Sequence, residues 1–341
     1  MCSTEASRPF VFVTRPIAEQ ALTELAGFAR VDLWDDEMPP PRAVLLERVA
    51  RADAILTLLT DRIDAAAIAA APRLRVISNL AVGVDNIDLD AATRAGVAVG
   101  HTPGVLTETT ADLAFALLMA AARRIVEADS YTRQGRWRTW GPHLMLGRDV
   151  FGATLGIVGW GAIGRAMARR AAGFRMRVLY AAREGKAGAK PGPHAAGKLA
   201  GARRVSLDEL LRESDFVSLH VPLTPETRAM LSGREFRAMK SGAILINTAR
   251  GEVIDQRALY EALASGHLAA AALDVTSPEP IAPDDPLLSL PNVILTPHIG
   301  SASHATRLRM AQIAVANIRD VLAGRLPRYC ANPAVRLRKP H

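Results

Sequence analysis

Cysteine is nearly absent from this chain: two among 341 residues, Cys2 and Cys330, close to opposite ends. A pair so placed makes neither a disulfide framework nor a metal knuckle, and a reducing cytoplasm is the expected setting. No apolar run reaches the roughly 18 to 20 residues that a membrane-spanning helix needs, and Met1–Pro9 has no apolar core of the kind a secretory leader carries. Neither a membrane nor export is expected. Dense basic runs are missing as well. The net charge is +8, but the arginines are scattered and not interleaved with aromatics, which argues against nucleic acid as a partner. A mild positive field suits the capture of small anions and a polyanionic cofactor. No group of His, Cys, Asp and Glu has ligand spacing, so no metal is expected.

What is present is a long globular chain, 49 % apolar and 22 % charged, with room for two cores. Short apolar runs at Phe10–Val13, Ala54–Leu59 and Leu74–Ser78 read as buried strands. Between them Ile17–Ala26, Pro41–Ala50 and Ala65–Ala70 carry helical spacing, and this alternation predicts a parallel sheet covered on both faces. Thr107–Gln134 reads as one long helix, followed by an irregular stretch over Gly135–Val150 that holds Trp137 and Trp140. A second series of strands is expected at Thr154–Val158, Arg177–Tyr180, Phe216–Val221, Ala243–Asn247, Ala270–Asp274 and Val293–Thr296, enough for a doubly wound dinucleotide domain. Glu184–Gly201 reads as a loop, and His304–Ala323 as a helix returning to the first domain.

Gly159-Trp160-Gly161-Ala162-Ile163-Gly164 follows the first strand of the second series and opens a helix, the context that a dinucleotide turn requires. Gly159 permits the tight turn, Gly161 lets backbone approach a pyrophosphate, and Gly164 allows close helix–strand packing. The next strand end selects the nicotinamide cofactor. An acid there would bind ribose hydroxyls and repel a 2′-phosphate, but the position holds Ala182, followed by Arg183, with Lys186 further on. A guanidinium can pair a phosphate through two parallel hydrogen bonds, so NADPH is the expected cofactor, with NADH possible.

Three residues in the last third complete a reacting centre: Arg250, Glu279 and His298. Reduction of a 2-oxo acid needs a cation for the carboxylate, an acid for the developing alkoxide and a hydride above the carbonyl carbon. Arg250 meets the first need. His298, when protonated, meets the second, and Glu279 would stabilise the imidazolium through a short hydrogen bond. In the oxidative direction the neutral imidazole takes the proton from the alcohol.

On these residues and on Ala81–Asp88, His101-Thr102-Pro103, Thr110–Asp112, Leu219–Thr224, Asn247–Gly251, Leu273–Val275 and Pro297–Gly300, the chain resembles the D-isomer-specific 2-hydroxyacid dehydrogenases over essentially its whole length. Within that family it is most similar to the glyoxylate/hydroxypyruvate reductase branch. Cys330-Ala331-Asn332-Pro333 resembles the end of bacterial 2-ketoaldonate reductases, which carry an Arg at the position matched by Arg183.

The resemblance implies an α/β fold of two doubly wound parallel-sheet domains, a Rossmann-type cofactor domain inserted into a flavodoxin-like substrate domain. The expected divisions are 1–103 and 297–341 for the substrate domain and 104–296 for the cofactor domain with a dimerisation helix and arm. It implies NADPH-dependent reduction of a small 2-keto acid (glyoxylate, hydroxypyruvate or 2-ketogluconate) to the D-2-hydroxy acid by a homodimer. It places backbone N–H groups of Val82 and Gly83 on the substrate carboxylate, Thr110 by the nicotinamide ribose and Asp274 by the carboxamide. Trp140 falls near the substrate cleft of this chain or of its partner. Ala162, Ile163, Val221, Pro222, Thr248, Ala249 and Gly300 fall among the cofactor contacts.

Departures from the family pattern are Val84 in place of an aromatic residue, Trp160 in the glycine turn, and a long Glu184–Gly201 segment that leaves Lys186, Lys190 and Lys198 without assigned places. His220 reads as a cofactor-loop residue, and His101, His143, His267 and His304 as surface or packing residues. Asp85 and Asp88 read as caps of a helix over Leu89–Ala95. Two other functions share these motifs: a dinucleotide-sensing corepressor, which would bind cofactor without turnover, and a 3-phosphoglycerate dehydrogenase.

Overall fold

The computed structural model describes residues 8–183 and 201–338. Cys2, Lys186, Lys190 and Lys198 lie outside the described residues. The chain divides into two units: one runs to Leu106 and resumes at Ala302, and the other is Thr107–Ser301.

In the first unit β1 (Phe10–Val13), β2 (Arg30–Leu33), β3 (Ala54–Thr57), β4 (Val76–Asn79) and β5 (Ala98–Gly100) form a parallel sheet in the order β2-β1-β3-β4-β5. That is the flavodoxin-like order. Side chains alternate between the faces of a strand, and here both faces are buried. Val11 and Val13 pack with Leu25, Met310 and Ile318 under the helices Glu19–Ala26 and His304–Leu322. Phe12 points the other way, into a core with Ile55, Ile77, Val49 and Ile68. Arg75 closes the C-terminal end of helix His304–Leu322 by donating to the carbonyls of Val321 and Leu322 at 2.9 and 3.3 Å, where guanidinium charge complements the helix dipole.

The second unit holds a seven-stranded parallel sheet. Its strands are β6 (Thr154–Val158), β7 (Arg177–Ala181), β8 (Arg203–Arg204), β9 (Phe216–Leu219), β10 (Ile244–Asn247), β11 (Ala270–Leu273) and β12 (Val293–Leu295), in the order β12-β11-β10-β9-β6-β7-β8. Strand order reverses between β6 and β9, and a doubly wound sheet leaves its ligand crevice at such a reversal. The apolar runs mark six of these strands. Three of the described strands escape the apolar pattern. Arg30–Leu33 is an edge strand with mixed polarity, Ala98–Gly100 has three residues, and Arg203–Arg204 is two exposed arginines.

The run expected as one helix over Thr107–Gln134 forms two, Thr107–Ala122 and Ile125–Arg133, because Arg124 adopts φ +53°. The first is buried against the sheet through Ala114, Phe115, Leu117, Leu118 and Ala121. The second has no buried residue. Among the described residues no helix is long and apolar enough to cross a membrane.

Candidate active site and cofactor cradle

The glycine turn between β6 and helix Ala162–Gly173 is fixed by what each missing side chain leaves room for. Gly159 has φ +101°, and a Cβ there would come within 2.6 Å of the His220 carbonyl oxygen on the loop after β9. A Cβ on Gly164 would strike the Gly159 carbonyl at 2.1 Å. At Gly161 it would meet nothing within 4 Å. Two of the glycines therefore close the turn against protein, and the third faces open space at a helix start that no side chain caps. Free N–H groups at such a start attract phosphate oxygens. Ala162 and Ile163 supply the first of those N–H groups. Trp160 finds its place by stacking on Tyr180, ring centroids 3.9 Å apart.

Further along the same crevice the Thr248 hydroxyl is buried without a partner among the described residues. It stands beside Ala249 just past β10, while Val221 and Pro222 follow β9. An orphaned hydroxyl, an uncapped helix start and an open glycine are a set that a dinucleotide satisfies. His220 sits under the turn with its Nε2 2.9 Å from the Ser218 hydroxyl, and burial pushes its pKa down to about 4, so it contributes no charge there at neutral pH.

At the end of β7, Ala182 and Arg183 occupy the place where a ribose-binding acid would stand. The Arg183 guanidinium pairs with Glu226 at 2.9 Å, and this hydrogen bond, with help from Thr224, holds the Glu226 carboxyl down at about 2. Arg204 on β8 donates to the Ala182 carbonyl at 2.9 Å. Neither Glu226 nor Arg204 stands out in the sequence. Glu226 lies 43 positions from its partner and Arg204 lies on a two-residue strand, so the folded chain alone reveals these contacts.

The three residues expected to form the reacting centre leave the C-terminal ends of three adjacent strands: Arg250 after β10, Glu279 after β11 and His298 after β12. His298 Nδ1 lies 2.5 Å from Glu279 Oε1. A carboxylate there makes Nδ1 the protonated nitrogen and leaves Nε2 for other work. Both side chains are partly exposed, 26 % for His298 and 39 % for Glu279, so a small molecule can reach them. The Arg250 guanidinium donates to the Ala249 carbonyl at 2.8 Å. The next residue, Gly251, packs so closely on the backbone of Thr276 that a Cβ would fall 1.9 Å from its carbonyl oxygen. This contact ties the Arg250 turn to the loop that carries Glu279. Gln256 holds that loop as well, accepting from the Ser277 N–H at 3.0 Å.

His298 has φ +53°, a conformation that a side chain with a Cβ adopts only when its surroundings impose it. Asp274 imposes it. Its carboxylate accepts from the Thr296 hydroxyl at 2.6 Å, from Ile299 N–H at 2.8 Å and from Gly300 N–H at 2.8 Å, while its own carbonyl takes His298 N–H at 2.9 Å. Gly300 in turn leaves room for Thr110, whose side chain lies 3.4 Å from where a Cβ would be. The second unit thus brings together Thr110, Asp274, Gly300 and His298. Trp140 is 78 % exposed on a stretch without helix or strand. Val82 and Gly83 belong to the first unit, on the loop after β4. No group of three potential metal ligands occurs among the described residues.

Comparison with known proteins gives a consistent result. A family model described as D-isomer specific 2-hydroxyacid dehydrogenase, NAD binding domain, matches residues 115–300. A glyoxylate reductase of Korarchaeum cryptofilum is 53 % identical over 335 residues, covering 98 % of this chain and 99 % of that protein. Among solved structures, the TT0316 protein of Thermus thermophilus superposes with a TM-score of 0.86 at 50 % identity, covering 94 % of this chain and 99 % of that one. An NADPH-dependent glyoxylate/hydroxypyruvate reductase of Sinorhizobium meliloti, in complex with NADP and malonate, gives 0.83 at 29 % identity, covering 98 % and 100 %.

Proposed function

We infer the chemistry from one premise: the chain belongs to the D-isomer specific 2-hydroxyacid dehydrogenase family and is an NAD(P)-dependent enzyme of that class. We propose that it reduces a small 2-keto acid, glyoxylate, hydroxypyruvate or 2-ketogluconate, using NADPH in preference to NADH. The observation that carries this reading is the His298–Glu279 hydrogen bond at the exits of β11 and β12, with Arg250 at the exit of the adjacent β10. Its substrate side is supported by the glyoxylate reductases to which the chain is similar.

When bound, the cofactor supplies a hydride to the carbonyl carbon. Arg250 pairs the substrate carboxylate and polarises the carbonyl. His298 donates a proton from Nε2 to the developing alkoxide, and Glu279, accepting at Nδ1, steadies the imidazolium that gives it up. Asp274 acts by holding the turn on which His298 sits, so that Nε2 is aimed before substrate arrives. Val82 and Gly83 offer backbone N–H groups to the carboxylate.

The cofactor preference is supported by Arg183 and by the absence of a ribose-binding acid at Ala182. Arg183, which pairs with Glu226 at 2.9 Å, is the side chain that would hold a 2′-phosphate. A homodimer is supported by the apolar surface of the second helix and the stretch after it. Ile125, Val126, Trp137, Trp140 and Leu146 are each more than half exposed, beside a groove of about 810 Å³ lined by Tyr131, Met145 and Val293 among others. An exposed apolar patch of this kind marks an interaction site.

The test is initial rates of NADPH and NADH oxidation with glyoxylate, hydroxypyruvate, 2-ketogluconate and pyruvate. Turnover with NADPH on one of the first three is expected. A preference for NADH would remove the role given to Arg183 and leave the trio standing, and no turnover with any pair would remove the reading altogether.

A further inference from the structure

The loop after β4 carries its carbonyl groups in an unusual state of order. Ala81 O accepts from Thr102 N–H at 2.8 Å, Val82 O is 2.9 Å from His101 Nδ1, and Gly83 O accepts from the Asn79 side-chain amide at 2.9 Å. Val84 O follows, accepting from Ile87 N–H at 3.0 Å. Four successive carbonyls are therefore held. No acceptor among the described residues takes the N–H of Val82 or Gly83.

Peptide planarity turns this into a statement about the donors. The carbonyl of one residue and the N–H of the next share a rigid plane and point in opposite directions. Thr102, by holding Ala81 O, aims the Val82 N–H. His101, by holding Val82 O, aims the Gly83 N–H. Each N–H fixed in this way is a donor held ready for an anion.

We propose that His101 is a positioning residue for carboxylate binding: its Nδ1–H fixes the Val82–Gly83 peptide plane and so sets the direction of the Gly83 N–H. The assignment rests on the reading in which that N–H meets the substrate carboxylate. It departs from the surface-or-packing role that His101 suggests as an isolated residue. The side chain is well suited to a test because the backbone around it is anchored independently. His101 N–H donates to Tyr329 O at 3.1 Å, and His101 O accepts from the Asn317 side chain at 3.1 Å. Removing the imidazole leaves both bonds in place. Asn79 is a poorer subject, since it is fully buried and also bonds Thr57 and Asn86.

The experiment compares wild type, His101→Ala and His101→Asn in steady-state kinetics with NADPH and glyoxylate, together with competitive inhibition by oxalate, which carries carboxylates but no reducible carbonyl. For His101→Ala we expect KM for glyoxylate and Ki for oxalate to rise together, by about tenfold, the effect of one lost alignment toward a charged acceptor. The kcat and the KM for NADPH should stay within about twofold of wild type on the same scale. In His101→Asn the amide nitrogen sits at the same bond separation from Cα as Nδ1, and affinity should return to within about threefold of wild type. Unchanged glyoxylate KM and oxalate Ki in His101→Ala would overturn the proposal. So would a uniform loss in kcat and both KM values that Asn does not restore. Wild-type enzyme that turns over no 2-keto acid would instead sink the proposed function, an outcome visible before any variant is made.

Discussion

The two parallel sheets offer ligands different kinds of chemistry at their C-terminal edges. The seven-stranded sheet presents side chains: Arg250, Glu279 and His298 stand on the exits of β10, β11 and β12. The five-stranded sheet, as proposed, presents backbone, the Val82 and Gly83 N–H groups, on a loop whose carbonyls His101 and Asn79 hold. A side-chain site depends on residue identity and fails when one atom type is exchanged. A backbone site accepts many side chains and fails when the peptide plane turns. Proton transfer calls for the first kind, because only a side chain can give up a proton and be restored. Holding a carboxylate can use either kind.

The comparison is broken most directly at His298. In His298→Ala, stopped-flow binding of NADPH should be near normal while kcat falls by about 10² to 10⁴; near-normal turnover would deny the side-chain edge its chemistry. Acid should separate the two units next. The folded chain keeps His220 neutral to about pH 4, whereas an unfolded imidazole titrates near 6.5. Between those values the unfolded state holds a proton that the folded state does not, so stability falls as pH falls through that window, by up to about 3 kcal/mol. Hydrogen exchange at pH 7 and pH 5 should show protection lost first in the seven-stranded unit, and His220→Gln should flatten the difference.

Arg250→Lys comes third. A point charge does not reproduce a planar fork, and kcat/KM for glyoxylate should drop by roughly 30-fold with NADPH affinity kept. An unchanged kcat/KM would mean that charge alone serves there, as dipoles do in the other sheet. The smallest effect is expected at the cofactor's far end. Arg183→Ala should raise KM for NADPH about tenfold and leave NADH untouched, and equal changes for both cofactors would show that Arg183 does not meet the 2′-phosphate.

The same division between side chain and backbone explains what could be seen in the sequence. The proposed trio and the glycine turn are visible because the chemistry expected of them requires particular residue types at particular distances from strand ends. The strands themselves were visible wherever a run was apolar on both faces, as in Ile244–Asn247, and hidden where the strand was short or charged, as in Arg203–Arg204. Arg124 left no sign that it would break a helix, since an arginine has no preference of its own for the left-handed region. The Arg183–Glu226 pair and the hold of Asp274 on the His298 turn depend on which strands are neighbours, and strand order is a property of the folded sheet. His101 was the least legible. An isolated histidine carries no mark that distinguishes a surface ring from one that steers a peptide plane.

Of the three glycines in the dinucleotide turn, Gly161 alone faces open space and has a backbone conformation, φ −77°, that any residue accepts. An added methyl group there would leave the fold intact and fill only the approach to the helix start. Gly161→Ala should therefore be a silent twin of this protein, equal in melting temperature and crystal habit yet deaf to dinucleotide. Such a twin would let the contribution of the cofactor to any behaviour of the molecule be read by subtraction.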